Sequence, residues 1–390
     1  MLTSRAAPVL YAAGLFATAV FAPIPGLSVV ANGVVALLLG VYLGFMRERL
    51  DRVTLALCLL LLPHLLWVGV SYFWSVDRDL AYVAFVATVT SILTCVTALL
   101  LSRCLPRSRV VHLSLLLALV THMAFAARQY LETPYLRLSG ITENANLLAF
   151  ILLCLWFLYA LLDDVHPAWR QWWVPLLIFV TTLPVVLATA SKKAIPGFLM
   201  VAVALGWRHR RSKRQVAVVV GTLVGAALLA ATLSSVNVQS QLEDLQKLRI
   251  TRRFEEFLTG NASDDMRYEM IREASVMFFQ RPLTGYGMQS FSVLGAFGTY
   301  SHNTFWELLA SLGVVGTVTF LLPLLGSPLL VRYNRTAALL IVFLLFWSWG
   351  AVVFDLKIYW WVLGTLLGSF PARAPAALPV RATAVTAEPT

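Results

Sequence analysis

The chain has 390 residues, of which 59% are hydrophobic and only 13% are charged, with a mean hydropathy of +0.79 and a net charge of +11. A soluble domain usually carries about 25% charged residues, so this composition excludes a soluble protein. The apolar runs have helical length, and alternating strands of about ten residues, the pattern of a membrane barrel, are not seen. The sequence therefore predicts an all-α polytopic membrane protein.

About twelve apolar segments follow one another along the chain, and we expect each to form a transmembrane helix. The eighth and the twelfth are shorter than the roughly 20 residues that a span needs, which predicts tilted, broken or re-entrant helices. The first contains Ala17 and Ala19 in an Ala-x-Ala sequence similar to a signal-peptidase site, and we interpret it as a retained helix. The segments lie near residues 8–24, 27–46, 53–73, 80–102, 109–127, 146–162, 172–190, 194–207, 215–233, 303–325, 336–354 and 357–370.

The distribution of basic residues between the loops predicts the orientation in the membrane. With the N-terminus inside, the inner loops and tails hold 17 Lys and Arg residues, whereas the short outer loops hold six. Most of the positive charge is thus topogenic, and no nucleic-acid partner is expected. Both termini are predicted to be cytoplasmic, with transmembrane helices 1–9 in residues 1–233, a periplasmic loop domain at 234–301, transmembrane helices 10–12 in 302–370 and a disordered cytoplasmic tail at 371–390.

The long outer loop is predicted to contain two amphipathic helices. The first lies in SSVNVQSQLEDLQKLRITRRFEEFL, and the second begins near Ser263 and ends at Pro282 and the glycines that follow it. On the second helix, Arg267 shares an apolar stripe with Ile271 and Ala274. A buried Arg is costly unless it is paired, so a neighbouring carboxylate and an anionic ligand are both open interpretations.

Three further outer segments, RLSGITENANLLAF, TASKKAIPG and TYSHNTFWELLASLGVVG, carry polar residues where an apolar helix begins. The His in the third segment is a candidate base, because an unperturbed imidazole has a pKa near 6.5. The alternatives are structural: a His that caps its helix, a Glu that reaches the membrane interface, and lysines in a simple loop. The residues concerned are Arg137, Asn144, Asn146, Lys192, Lys193, His302, Asn303 and Glu307.

A pair of acidic residues on another outer loop, Asp77 and Asp79, forms a D-x-D sequence that could hold a divalent metal. We favour a helix N-cap for this pair, because Asp suits the positive end of a helix. The four cysteines lie within or beside predicted spans and have no zinc spacing. No bound metal is therefore expected.

Considered together, the outer polar residues combine one candidate base, several fixed cations and hydrogen-bonding amides. A phosphate-bearing lipid would suit the cations, because a diphosphate leaving group departs more easily when two or more positive charges hold it. The His could then take a proton from an attacking hydroxyl.

The same segments resemble the motifs of the O-antigen ligase and O-antigen polymerase superfamily. SYFWSVDRDLAY resembles the early outer-loop motif, and LSGITENANLLAF resembles the Gly-(x)n-Asn-x-Asn helix entry. TASKKAIPG is similar to the Ser-Arg-Gly-Ala motif, and MRYEMIREASVMFFQRPLTGYGMQSF to the Arg-(x)n-Pro-(x)2-Gly-x-Gly motif. SHNTFWELLASLGVVG resembles the His-Asn-(x)n-Gly-(x)2-Gly signature. Each motif alone is weak, whereas five in the same order are specific.

The resemblance implies a glycosyltransferase of the bacterial inner membrane with its active site facing the periplasm. It implies transfer of an O-antigen glycan from undecaprenyl diphosphate to lipid A–core, by an inverting displacement without metal, ATP or another cofactor. His302 matches the essential His of the superfamily, and Arg267 matches the Arg of its loop helix. Lys192 falls where the superfamily has Arg, which keeps the charge but loses the bidentate fork, and Lys193 falls where it has Gly.

Two other functions remain open at this point. Within the superfamily we favour the ligase, because one long outer loop precedes the tenth span and no large C-terminal soluble domain is present. The O-antigen polymerase, which extends the glycan on undecaprenyl diphosphate, shares its donor and topology. A membrane transporter is the alternative of another class, and charges at the middle of the bilayer with access from both sides would favour it.

Overall fold

A computed structural model describes residues 2–45, 50–105, 108–133, 137–165, 173–189, 191–209 and 265–371. The regular elements of these residues are helices, which confirms the predicted all-α class. A π-helical turn at Ala17–Phe21 continues the first helix. In chain order the α-helices are α1 (Leu2–Phe16), α2 (Ser28–Phe45), α3 (Arg52–Leu59), α4 (Leu62–Ser71), α5 (Arg78–Arg103), α6 (Arg109–Glu132), α7 (Ala145–Val165), α8 (Trp173–Ala188), α9 (Ala194–His209), α10 (Asp265–Gln280), α11 (Ser290–Leu294), α12 (Thr304–Gly326), α13 (Arg335–Trp349) and α14 (Lys357–Gly368).

The protein is a multi-pass membrane protein by the length and composition of its helices. Within the described residues, six helical stretches are long and apolar enough to cross a membrane, and four shorter helices are also apolar. The span predicted at 215–233, the first amphipathic segment of the outer loop and residues 372–390 lie outside the described residues. The count of twelve spans, the boundaries of the loop domain and the orientation therefore stay predictions.

Helix α14 explains why the last apolar segment is short. Its twelve residues, Lys357–Gly368, are almost all buried inside the protein, so the helix does not have to match the thickness of a bilayer. It packs closely along α5 because Gly364 and Gly368 have no side chain. A Cβ at Gly364 would lie 2.1 Å from the Cys95 carbonyl oxygen, and one at Gly368 would lie 2.4 Å from that of Leu99.

Helix α10 is the second amphipathic helix that the sequence predicts in the outer loop. It ends at Gln280, two residues before Pro282, as expected, whereas Ser263 at its predicted start lies outside the described residues. Its buried side chains Met270, Ala274 and Met277 pack with Ala310 of α12. Because α10 lies against α12 in this way, the outer-loop motif is attached directly to a transmembrane helix.

Candidate functional site

Helices α7, α10, α12 and α14 begin around one cavity, which has a volume of about 140 Å³. Helix α9 begins beside it, since the preceding residue contacts the cavity wall. The N-terminus of a helix carries a partial positive charge, so several such ends at one cavity favour an anion. The polar residues that line it are Asn144, Asn146, Arg267, Tyr300, His302 and Asp355.

The backbone around His302 fixes the direction of its ring. His302 has φ 58°, a left-handed conformation that is uncommon for a residue with a side chain. The turn is held on both sides, because the Ser301 N–H donates to the Glu307 carboxylate at 2.7 Å and the Asn303 side chain accepts the N–H groups of Phe305 and Trp306. Local strain of this kind is common at functional sites.

The structure tests the alternative interpretation of this segment, in which His302 caps the helix that follows it. Asn303 is the N-cap of α12, and its side chain is buried, so the capping role belongs to it rather than to His302. Glu307 is also buried, with only 2% of its surface exposed, and its carboxylate accepts the Ser301 N–H. His302 is half-buried, lines the cavity and packs its ring against Tyr300, with the ring centroids 4.5 Å apart.

The surroundings of His302 favour a neutral imidazole. Burial lowers the pKa of His302 below its usual value, and the positive charges of Arg267 and Lys193 lower it further. At neutral pH this ring is therefore able to accept a proton. His302 and Arg267, which are far apart in the sequence, line the same cavity, and Lys193 contacts Trp347 of its wall.

Arg267 lies in the first turn of α10 and lines the cavity. It is partly buried on the same side of the helix as Met270 and Ala274, as the apolar stripe predicts. The sequence left open whether this Arg pairs within the protein or faces a ligand. Its side chain lines the same cavity as His302.

Lys193 contacts the cavity wall from the turn before α9. Its Nζ lies 5.6 Å from the ring centroid of Trp347, a cation–π distance, and 2.8 Å from where a Cβ at Gly350 would be. Trp347 and Gly350 both line the cavity. Burial lowers the pKa of Lys193 to about 7, and the nearby Arg267 lowers it in the same direction. Lys192 is half-buried in the same turn.

The two asparagines of the helix-entry motif have different local contacts. The Asn144 side chain caps α7 by accepting the N–H groups of Asn146 and Leu147. The Asn146 side chain accepts a hydrogen bond from Arg137 at 3.3 Å, and Arg137 also donates to the Thr189 carbonyl at 2.9 Å. Arg137 thus ties this wall of the cavity to the end of α8.

The sequence-based list missed Asp355, which lies in the turn before α14. Its side chain lines the cavity and is exposed. Asp355 also raises the pKa of Tyr300, for which burial is the larger cause. The sequence does contain a signal for Asp355. It is a carboxylate in a short predicted outer loop between two apolar segments, and the rule that basic residues mark cytoplasmic loops gives no reason for an acidic residue there.

The D-x-D pair has the structural role that the sequence favours. The Asp77 carboxylate accepts the N–H groups of Asp79 and Leu80 at 3.0 Å and caps α5. Among the residues that the structure describes, no group of three His, Cys, Asp or Glu side chains could hold a metal ion.

Residues 177–321 match the family model described as O-antigen ligase. The match confirms the predicted resemblance to the O-antigen ligase and polymerase superfamily, and it covers Lys192, Lys193, Arg267, His302 and Asn303. Arg137, Asn144, Asn146 and Asp355 lie outside it. No curated protein matches the chain in sequence. The match and the apolar helices together support a membrane protein of the O-antigen ligase and polymerase superfamily.

Proposed function

We propose that this protein is an O-antigen ligase, which transfers a glycan from undecaprenyl diphosphate to a hydroxyl of lipid A–core on the periplasmic face of the inner membrane. The observation that carries the proposal is that His302 and Arg267 line one cavity and that Lys193 contacts Trp347 of its wall. A neutral base beside two cations is the set of groups that glycosyl transfer from a lipid diphosphate requires.

The cations are suited to hold the diphosphate. Arg267 supplies a fork that can bind two phosphate oxygens, and Lys193 supplies a point charge beside Trp347 of the cavity wall. The helix N-termini around the cavity add partial positive charge without any metal. Lys192 and Arg137 extend the basic surface, and Arg137 acts through its bond to Asn146. As charge grows on the departing oxygen, these groups stabilise it.

His302 is suited to act as the general base. The acceptor hydroxyl gives its proton to the imidazole while its oxygen forms a bond to the anomeric carbon of the donor sugar. The bond from that carbon to the diphosphate oxygen breaks, and undecaprenyl diphosphate leaves with the electron pair. The configuration at the carbon inverts in this single displacement. The imidazolium then loses its proton to water.

The remaining polar groups of the cavity are suited to bind sugar hydroxyls. Asn144, Asn146 and Asp355 line the same cavity, and amide and carboxylate oxygens accept hydrogen bonds from hydroxyl groups. Asn303 caps α12 with its side-chain oxygen, so its contribution is to hold the turn that aims His302. A direct contact between Asn303 and the substrate stays a prediction.

The positions of the charges favour this chemistry over transport. Lys193 and His302 lie in turns before α9 and α12, and Glu307 lies in the first turn of α12. All three therefore lie at or before the first turn of a predicted span, whereas charges at the middle of the bilayer would favour transport.

The test is glycan transfer by the purified protein in lipid vesicles that contain an undecaprenyl-diphosphate glycan and lipid A–core. We expect glycan on lipid A–core with the native protein, and a loss of at least 10²-fold with His302→Ala, the order that general base catalysis contributes. His302→Gln keeps a hydrogen-bonding group without basicity, so native activity in this variant would exclude the base role.

Two Arg variants on α10 form a matched pair. Arg267→Gln removes the cation of the cavity, whereas Arg272→Gln removes one whose side chain is 69% exposed and pairs with Glu269 at 3.3 Å. We expect only Arg267→Gln to raise the KM for the donor. Longer donor glycans with an unmodified acceptor would identify the polymerase instead. Neither product, with folding and donor binding intact, would exclude both transferases and favour the transporter.

A further inference from the structure

The segment Pro282–Met288, here called the docking segment, inserts into a break in α12. The helix is interrupted at Gly313, which has φ 68° and ψ −168°. A break in an apolar helix leaves carbonyl and N–H groups without their usual partners, which is costly unless other groups replace them. The docking segment supplies most of these replacements.

Hydrogen bonds join the docking segment to α12 on both sides of the break. The N–H of Tyr286 donates to the Ala310 carbonyl at 3.1 Å, and that of Gly287 donates to the Ser311 carbonyl at 2.7 Å. In the other direction, the N–H of Val314 donates to the Pro282 carbonyl at 2.8 Å. The contact is therefore a backbone pairing, which fixes the two segments in register.

Glycines permit this pairing, because the two backbones approach too closely for side chains. A Cβ at Gly285 would lie 2.4 Å from the Ser311 carbonyl, and one at Gly313 would lie 2.3 Å from the Leu283 carbonyl. Both glycines also have positive φ. The glycines of two separate sequence motifs are thus the two sides of one contact.

A third carbonyl at the break is bound from a different helix. The indole N–H of Trp67, on α4, donates to the Leu312 carbonyl at 2.9 Å. The Ser75 hydroxyl, four residues after α4, lies within hydrogen-bond distance of the Met288 carbonyl at the end of the docking segment, at 3.2 Å, and of the Asp77 carbonyl, at 3.1 Å. Trp67 and Ser75 therefore hold both parts of the contact against α4.

We propose that Trp67 is a positioning residue, which fixes the break in α12 and through it the placement of Arg267 against His302. Arg267 begins α10 and His302 precedes α12, and the two helices run side by side in the same direction from the cavity to the docking segment. A movement at the break therefore changes the offset between the two helices at the cavity. Its importance for catalysis rests on the proposed function, whereas the geometric claim does not.

The proton affinity of His302 reports this placement independently of glycan transfer. Burial, Arg267 and Lys193 all lower the pKa of His302. Among the described residues, the other titratable groups of the cavity and of the turn that holds His302 are Tyr300, Asp355 and Glu307, which lie on segments that do not belong to α10. If α10 shifts away, the effect of Arg267 weakens, and the pKa of His302 rises towards that of a free imidazole.

The experiment measures the rate at which diethyl pyrocarbonate modifies His302 as a function of pH in the full protein in lipid, with the site located by mass spectrometry. The reagent reacts with the neutral ring, so the midpoint of the rate profile gives the pKa. Trp67→Phe keeps the ring and removes the N–H donor. Trp74→Phe is the matched control, because Trp74 packs on Trp67 at 5.6 Å and its buried indole nitrogen has no hydrogen-bond partner among the described residues.

We expect Trp67→Phe to raise the midpoint for His302 and Trp74→Phe to leave it unchanged. In an Arg267→Gln background the midpoint is already raised, and Trp67→Phe should then add nothing, because it acts through Arg267. Ser75→Ala, which removes the bond to Met288, should give a smaller rise and provides the test if Trp67→Phe does not fold. An unchanged midpoint in folded Trp67→Phe or Ser75→Ala, or an equal rise with and without Arg267, would overturn the proposal.

Discussion

We expect donor recognition to be sensitive to pH near neutrality, because the proposed function gives Lys193 a role in holding the diphosphate. Burial and Arg267 lower the pKa of Lys193 to about 7, so its ammonium group loses its proton as the pH rises through that value. Above the pKa, each further pH unit reduces the protonated fraction of the free protein about tenfold, equivalent to about 1.4 kcal/mol. If only the ammonium form holds the diphosphate, kcat/KM for the donor falls by up to tenfold per pH unit.

The assay is the initial rate of glycan transfer at limiting donor between pH 6 and pH 9. The kcat/KM ratio is the informative quantity, because it reports the ionisation of the free protein, whereas a bound diphosphate raises the pKa of the lysine and hides the effect in kcat. We expect Lys193→Arg to remove this alkaline loss, because a guanidinium stays charged throughout the range.

Lys193→Gln is the control for the loss of the charge itself. It should lower kcat/KM at acidic pH to the value that the native protein reaches at alkaline pH, and it should also be insensitive to pH in this range. The reasoning is refuted if Lys193→Arg retains the same alkaline loss as the native protein. That result would assign the ionisation to another group.

The other predictions concern folding. Asn303→Ala should lower the free energy of unfolding by about 0.5–2 kcal/mol, because it removes the N-cap of α12, and Asn303→Ser should recover most of the loss. Gly364→Ala should cost about 1–3 kcal/mol or more, because its Cβ would meet a backbone carbonyl of α5 at 2.1 Å. Gly33→Ala in α2, where no atom lies within 4 Å of a new Cβ, should be neutral or slightly stabilising. Denaturant unfolding in detergent measures the free energy of unfolding of each of these variants.

Equal unfolding free energies for Gly364→Ala and Gly33→Ala would contradict the close packing of α14 on α5. If Asn303→Ala keeps the unfolding free energy of the native protein, the N-cap contributes nothing to stability. A loss that Asn303→Ser fails to recover would assign the effect to packing of the Asn side chain instead.

The sequence alone predicts the helices well, because length, apolar character and capping are local properties. The span expected at 303–325 is α12 (Thr304–Gly326), and the span expected at 146–162 is α7 (Ala145–Val165). The end of α10 before Pro282 follows from the ring of proline, which cannot continue a helix. The resemblance to the superfamily also came from the order of short motifs, and the match at residues 177–321 confirms it.

The span expected at 53–73 corresponds to the stretch Arg52–Trp74, which is long and apolar enough to cross a membrane but is not one continuous helix. The segment predicted at 53–73 is divided into α3 (Arg52–Leu59) and α4 (Leu62–Ser71), with Pro63 at the start of the second helix. Apolar character does not register such a break, whereas a proline in the first turn is a local signal for it.

Only the tertiary structure decides which polar residues share a site. It brings Lys193 to the cavity wall and adds Asp355, which no motif had indicated. It also shows that Pro282–Met288 and Gly313 form one contact, with Trp67 of a distant helix binding the adjacent carbonyl. The physical reason is that periodicity and capping determine each helix from its neighbours in the chain, whereas contacts between helices depend on packing between segments far apart in the chain, 245 residues apart for the hydrogen bond of Trp67.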